Sequence, residues 1–294
     1  MGTLILQLIQ GAVTVLVGVG FIWLAKVLDD KRTRDFNDDR QIDDGNVAVG
    51  LRRGGLYLAM AIAFTGALDG GTKGFFPDLL RFVLDGFTIL IFLFAARFIN
   101  DAVMMGHINN DDECIKEFTG PAGETTTGNT ALGVVEAGMF LATGFILKGS
   151  FSGNGGTLLQ SVASTILFFF LGQACLLLFG LIYEKITAFN VREEIRGNNV
   201  AAGIGLAGIL TALGIVLMSS ISGPFTGWGS DIAAFLVYAA YGMAMLLGFR
   251  ALVDRLILPT TNLVTEVKED RNVAALLVVE CALVAVALLI AAAA

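Results

Sequence analysis

Long apolar runs separated by short polar segments dominate the pattern along this chain. Eight runs reach the length of about 20 residues that a helix needs to cross about 30 Å of hydrocarbon. No stretch alternates apolar and polar side chains as a membrane β-barrel strand requires. The pattern therefore predicts eight transmembrane helices, at residues 3–27, 46–68, 76–99, 129–147, 157–182, 199–221, 231–257 and 272–293.

Composition supports the membrane class. Only 15% of the 294 residues are charged, and the mean hydropathy is +0.77, whereas soluble domains carry about 25% charged residues. The lipid bilayer is therefore the expected partner of most of the surface. The net charge of -7, with no basic stripe, argues against nucleic acid.

The connecting loops alternate in character. Loops after the even-numbered runs are short and rich in glycine, such as 149–156, whereas loops after the odd-numbered runs are longer and hold most of the lysines and arginines. The positive-inside rule then predicts that the charged loops are cytoplasmic and that both termini lie outside.

The two halves of the chain are related by a shift of 153 residues, which places Asn46 on Asn199 and Arg97 on Arg250. Four spans separate the copies, so both cross the membrane in the same direction. The loop before the fourth run is ten residues longer than its later counterpart, 28 positions against 18. We predict an all-α polytopic membrane protein of two parallel four-helix repeats, 1–152 and 153–294.

A weaker repeat within each half indicates that the unit is a helical hairpin used four times. Every even-numbered span opens with Asn-x-Ala, and three of the four continue as Asn-x-Ala-x-Gly-x4-Gly; the fourth has Leu276 and Cys281 at the glycine positions. The asparagines are candidate helix N-caps. Alternatively, four helix N-termini converge on an anion. They are Asn46, Asn129, Asn199 and Asn272.

Small residues near the starts of the even-numbered spans are expected to let these helices touch their neighbours closely. The glycines concerned are Gly50, Gly54, Gly55, Gly203 and Gly208.

Charged residues inside the apolar runs are the main candidates for function, since each costs about 2.5–3.5 kcal/mol at mid-membrane. One hypothesis is a neutralised structural cluster, in which Arg53 offsets Glu136 and Arg81 offsets Asp85. The others are a proton or cation route through Asp85, Glu136 and Glu280, and a contact in a homo-oligomer.

Arg97 and Asp101, like Arg250 and Asp254, keep a four-residue spacing at the ends of their spans. We expect these to be exposed interfacial pairs that contribute little to stability.

Enzyme signatures are missing from the sequence. It holds no Gly-x-Ser-x-Gly elbow, Walker sequence, His-Glu-x-x-His or Cys-x-x-Cys motif, and its single histidine is His107. We therefore expect a non-enzymatic protein with neither a metal site nor a cofactor.

The acidic loop that runs into a helix beginning Asn-x-Ala, found in tandem four-helix units, resembles the bacterial YjfL-like family of inner-membrane proteins, a domain family of unknown function. The resemblance covers nearly the whole chain. It implies a location in a bacterial inner membrane and a role near envelope stress, and it supplies no catalytic residues.

Two hypotheses of function follow. The first is a membrane protein, channel- or transporter-like, that passes or senses a small ion or polar solute. The alternative is a scaffold that recruits a cytoplasmic stress protein through its charged loops, chiefly 29–45 and 101–128.

The predicted topology is tested by cysteine accessibility. A cysteine replacing Lys31 and one replacing Ser152 should be labelled by a membrane-impermeant reagent from opposite faces of the membrane. Labelling of both from one face would contradict the eight-span arrangement.

Overall fold

The structure, a computed structural model, describes residues 2–33, 36–69, 74–106, 109–119, 125–153, 158–257 and 262–293. Within these ranges, eight helices are long and apolar enough to cross a membrane, which confirms the predicted class. In chain order the elements are α1 (Gly2–Arg32), α2 (Asp38–Asp43), α3 (Val47–Leu68), α4 (Phe75–Met104), α5 (Asn110–Glu113), β1 (Glu117–Thr119), β2 (Thr125–Thr127), α6 (Thr130–Phe151), α7 (Leu158–Ile186), α8 (Val191–Arg196), α9 (Val200–Ile221), α10 (Trp228–Ile257), α11 (Leu263–Lys268) and α12 (Val273–Ala293).

Two features of the connections were not predicted. A short helix precedes each of α3, α6, α9 and α12, and the antiparallel hairpin β1–β2 follows the short helix α5. The hairpin occupies the loop that is longer in the first repeat, which explains the ten-residue difference. At the other side of the membrane, α6 continues to Phe151, so Gly149 and Ser150 are helical and not in a loop as expected.

The helices α3, α6, α9 and α12 lie side by side in chain order and are called the inner row. A Cβ built on Gly133 would lie 2.7 Å from Cα of Ala48, and one on Gly144 would lie 2.8 Å from Cα of Ala59. Both partners advance by 11 residues between these contacts. The neighbouring helices of the row are therefore parallel.

The helices α1, α4, α7 and α10 form an outer layer against the row. Helix α4 contacts α3 and α6, α7 contacts α6 and α9, and α10 contacts α9 and α12. Large apolar side chains of this layer, such as Leu80, Ile91 and Phe98, are exposed. In a membrane these side chains would face lipid.

The expected role of the glycines holds for some and fails for others. A Cβ on Gly55 would lie 2.5 Å from Cα of Ala137, so this glycine permits a close helix contact. Gly203 and Gly208 also lie against neighbouring helices. No described atom lies within 4 Å of a Cβ on Gly50 or Gly54, so the prediction is wrong there. The reason is that α3 begins the row and has no helix before it.

Gly138→Ala should lower the free energy of unfolding by about 1–3 kcal/mol, since overpacking a tight contact costs that much. Its new Cβ would lie 2.6 Å from Cα of Ala207. Unfolding in detergent measures the change. Gly20→Ala is the matched control, because no described atom lies within 4 Å of its Cβ. Equal stability of the two variants would contradict the packing described.

Candidate functional site

Arg52 is the most deeply buried charge, with 0% of its surface exposed. Its Nη2 lies 3.2 Å from Asp38 of α2, its Nη1 lies 3.0 Å from Asp111 of α5, and its Nε lies 3.9 Å from Glu136 of α6. The guanidinium also stands 5.7 Å from the ring centre of Phe36. This side chain thus joins two short helices outside the spans to two helices of the inner row.

Arg53 shares Asp38 with Arg52 but otherwise has different partners. It contacts Asp30 of α1, and it lies 2.9 Å from Asp38 and 2.6 Å from Asp39. The expected pairing of Arg53 with Glu136 is wrong, and Arg52 approaches Glu136 instead. Successive residues of a helix point about 100° apart, so only Arg52 of the two neighbouring arginines is directed toward α6.

Arg97 of α4 lies between α1 and α6. Its Nη1 donates to Asp29 at 2.8 Å, and other nitrogens lie 3.7 Å from Asp101, 3.7 Å from Asp111 and 3.9 Å from Glu136. Only 5% of the residue is exposed, so the expectation of an exposed pair with Asp101 is wrong. The packing of α4 on the inner row buries this level of the helix.

These ion pairs define a buried charged cluster at the end of the bundle where α1 and α4 finish. Its cations are Lys26, Arg32, Arg52, Arg53 and Arg97. Its carboxylates are Asp29, Asp30, Asp38, Asp39, Asp101, Asp111 and Glu136. The described part of the cluster therefore holds seven carboxylates and five cations.

A cavity of about 10 Å³ lies within the cluster, about the size that one water needs. Asn110 Nδ2 donates to Asp101 Oδ1 at 2.9 Å and to Glu136 Oε1 at 3.0 Å, so one amide bridges two carboxylates. Arg97 Nη2, Asn100 Oδ1 and Glu136 Oε2 are buried and make no hydrogen bond to another described residue. The cavity is lined by Arg97, Asn100, Asp101, Glu136, Met139 and Phe140.

Asp85 and Arg81 pair as expected, with 3.4 Å between Nε and a carboxylate oxygen. Arg81 remains 41% exposed on its side chain. Asp85 precedes Arg97 by 12 residues of the same helix, which is about 18 Å of helical rise. The structure therefore does not bring this pair into the charged cluster.

Glu280 belongs to a separate pair in the second repeat. Arg250 Nη1 lies 3.1 Å from Glu280 and its Nη2 donates to the Tyr183 hydroxyl at 2.9 Å. The 153-residue shift places Asp30 on Tyr183 and Arg53 on Leu206, so most of the cluster's charges are replaced. The side chain of Asp254, the sequence-predicted partner of Arg250, lies outside the described residues.

The four asparagines act as N-caps, as one of the two hypotheses predicted. The Oδ1 of each accepts a hydrogen bond from the amide three residues later, at 2.9–3.3 Å. The amides are those of Val49, Leu132, Ala202 and Ala275.

Three of these asparagines also tie neighbouring helices of the row together. Asn46 Nδ2 donates to the carbonyl of Cys114 at 2.8 Å, Asn129 to that of Ile195 at 2.8 Å, and Asn199 to that of Val267 at 2.7 Å. Each acceptor lies in the segment that leads into the next helix of the row. Both functional groups of the amide are thus engaged within the protein, which leaves the anion hypothesis without support.

Sequence reasoning missed several members of the cluster, above all Asp29, Asp38, Arg52 and Asp111. A signal was present in the adjacent arginines within an apolar run, because two buried cations require several carboxylates. It also missed a second asparagine repeat: Asn37, Asn190 and Asn262 cap the short helices α2, α8 and α11.

Groups of the cluster outside the spans have shifted pKa values. The hydrogen bond from Lys26, with a second from Arg53, lowers the pKa of Asp39. Burial raises the pKa of Asp111, but the hydrogen bond and charge of Arg32 outweigh it, so that the pKa lies below its ordinary value. Burial raises the pKa of the Cys114 thiol. At neutral pH both carboxylates are therefore ionised and hold α2 and α5 against the arginines.

Arg52→Gln should lower the free energy of unfolding by about 3–5 kcal/mol, because it leaves buried carboxylates without their partner. Arg81→Gln is the control and should cost less than about 1 kcal/mol, since its pair is partly exposed. Thermal unfolding in detergent compares the two. If the midpoint shift for Arg52→Gln were no larger than that of the control, the cluster would not make the large contribution to stability that we expect.

Comparison with known proteins bears on this architecture. The domain of unknown function DUF350 matches the chain twice, at residues 3–151 and 157–294. The chain is 24% identical over 254 residues to a UPF0719 transmembrane protein of Aquifex aeolicus (strain VF5), covering 86% of this chain and 88% of that protein.

The chain is also 33% identical over 95 residues to the UPF0719 inner membrane protein YjfL of Escherichia coli (strain K12), covering 30% of this chain and 72% of that protein. No solved structure matches it. With two matches that together span nearly all of its residues, this chain belongs to the DUF350 family of membrane proteins and carries the domain twice in tandem.

Proposed function

We propose that this protein is a proton sensor of a bacterial inner membrane, with the charged cluster on the cytoplasmic side. The observation that carries the proposal is the pair of carboxylates, Asp101 and Glu136, that share the single amide donor of Asn110 beside a small cavity. The positive-inside rule places the cluster at the cytoplasm, and the inner-membrane name of the E. coli relative supports the location.

The charge balance of the cluster favours proton uptake. Its described members, fully ionised, hold two more carboxylates than cations. Excess negative charge is costly in a medium of low dielectric. A proton neutralises a carboxylate without needing space, whereas the cavity of about 10 Å³ leaves little room for a larger solute. Among the described residues there is also no cluster of side chains suited to a metal ion.

Asp101, beside Glu136, is the group on which we place the proton. Two carboxylates held this close disfavour simultaneous ionisation. Arg97 lies 3.7 Å from Asp101, and Arg97 and Arg52 each lie 3.9 Å from Glu136, so both arginines are beyond hydrogen-bond range of the pair. The further charges around the pair are those of Arg32, Asp29 and Asp111.

The output follows from the position of Asn110, which opens α5. While Asp101 is ionised, its repulsion with Glu136 opposes the closed arrangement, in which Asn110 bridges the two carboxylates. The next residue, Asp111, bonds to Arg32 and Arg52. A proton bound at Asp101 removes this repulsion and favours the closed arrangement, so its loss at higher pH would loosen α5 and the adjoining β1–β2 hairpin.

The positions of the other charges favour a sensor over a conduit. Asp85 lies about 24 Å from Asp101 along α4, and Glu280 pairs with Arg250 in the other repeat. Recruitment of a cytoplasmic partner, including a stress protein, fits as the output of the sensor, since the hairpin is an exposed addition of the first repeat.

Hydrogen–deuterium exchange of residues 109–119 in nanodiscs tests the proposal. As the pH rises from mildly acidic to mildly alkaline, the opening equilibrium, corrected for intrinsic exchange rates, should rise by up to about tenfold per pH unit, because the closed state holds one proton that the open state does not. Asp101→Asn should abolish the dependence. Asp85→Asn is the matched control and should keep it.

Opening that does not change with pH, or that changes equally in Asp101→Asn, would exclude the sensor. An ion flux in proteoliposomes that Asp85→Asn abolishes would favour the conduit instead. Partner capture that needs the hairpin but does not vary with pH would favour a constitutive scaffold.

A further inference from the structure

The closest glycine contacts within the inner row follow one register, counted from the repeated asparagine as position zero. In each pair of neighbouring helices, the earlier helix contributes positions 2, 9, 13 and 20. We call these four positions its trailing edge. The later helix presents positions 4, 8, 15 and 19, which we call the leading edge. The contacts that define this register are Gly133 on Ala48, Ala137 on Gly55, Gly144 on Ala59, Lys148 on Gly66, Gly203 on Ala131, Ala207 on Gly138, Gly214 on Ala142, Met218 on Gly149 and Glu280 on Gly208.

Two of these edges have no partner helix among the described residues, because the row has a first and a last member. None of the four leading-edge residues of α3 is buried, and the four trailing-edge residues of α12 are exposed. All eight are small, although nearby lipid-facing positions carry Leu58, Leu277 and Leu288. The open leading edge is Gly50, Gly54, Ala61 and Thr65, and the open trailing edge is Ala274, Cys281, Ala285 and Ala292.

The open edges are complementary in size. Inside the row, a glycine at position 9 of the earlier helix receives a side chain from position 8 of the later one, as Gly55 receives Ala137. At the open edges the order is reversed, with Cys281 at position 9 and Gly54 at position 8. One partner lacks a Cβ in both arrangements, so the backbones can approach to a similar distance. Gly50 and Ala274 match the internal pair at positions 4 and 2.

A polar link also repeats. The carbonyls that accept from Asn46, Asn129 and Asn199 each lie five residues after the asparagine that precedes a short helix, at 109, 190 and 262. The fourth such asparagine is Asn37, and five residues after it stands Ile42, which is exposed just before α3. If α3 of a second copy followed α12, the carbonyl of Ile42 in that copy would be the acceptor for Asn272.

We infer that copies of this chain assemble head to tail, with α12 of one copy packed against α3 of the next. The register inside the row supplies the geometry, and close packing of small residues supplies the attraction between membrane helices. All helices of the row are parallel, so a second copy inserted in the same direction has the required orientation. Such a heterologous contact closes into a ring or continues as a filament.

Oxidative cross-linking in native membranes tests this assembly. In the double variant Ala61→Cys/Ala285→Cys, the thiol at position 15 of α3 should lie beside the thiol at position 13 of α12 in the preceding copy, within the range that a disulfide spans. A Cβ is accepted on both partners at this pair, because α9 and α12 carry Ala212 and Ala287 there. Because every copy carries both thiols, the product should be a ladder of covalent multimers. Phe98→Cys/Ala285→Cys is the control, since Phe98 is 77% exposed on α4 in the outer layer, and it should give no ladder.

Absence of a ladder in Ala61→Cys/Ala285→Cys, or an equal ladder in Phe98→Cys/Ala285→Cys, would overturn the inference. Dimers formed through Cys281 in the unmodified protein, and ending at two copies, would show a two-fold contact instead.

A second measurement does not depend on thiol chemistry. Gly54→Leu and Ala285→Leu each add bulk to an open edge, so multimers seen by native mass spectrometry should fall at least about tenfold, the effect of 1.4 kcal/mol. The midpoint of thermal unfolding should equal that of the unmodified protein, because the new side chains project away from the fold. Multimers unaffected by both changes would refute the assembly. The inference does not rest on the proposed proton sensor.

Discussion

The close approach of parallel helices at small residues is the constraint on which the rest of this structure depends. Gly55, Gly138 and Gly208 each receive a residue of the next helix where a Cβ would not fit. This register brings position 7 of α6, Glu136, near position 6 of α3, Arg52. The charged cluster is therefore a consequence of how the row packs, as well as of which residues it contains.

The buried arginines impose a second constraint, because each must meet carboxylates where water is scarce. The spans of the first repeat supply only part of them, and the rest come from α2 and α5, which are drawn onto the end of the bundle. The second repeat replaces Arg53 by Leu206 and retains only the smaller group of Arg250, Glu280 and Tyr183. The repeats thus share a scaffold and differ in electrostatics, which is why the proposed sensor lies in the first.

Much of the fold could be predicted from the sequence, since span length, the repeat and the capping asparagines are local or periodic signals. The partners of the charges could not, because Arg52 and Arg53 are adjacent in sequence and differ only in direction. Burial of Arg97 depends on how α4 packs on the row, which no local pattern encodes. The openness of Gly50 and Gly54 likewise follows from the place of α3 at the start of the row, and not from its motif.

A density map of the protein in nanodiscs, obtained by electron cryo-microscopy, tests the central claim most directly. The account predicts α3, α6, α9 and α12 as parallel neighbours in that order, with Ala137 on Gly55 and Arg52 between Asp38 and Asp111. A map with α3 and α6 apart, or with Arg52 facing solvent, would contradict it.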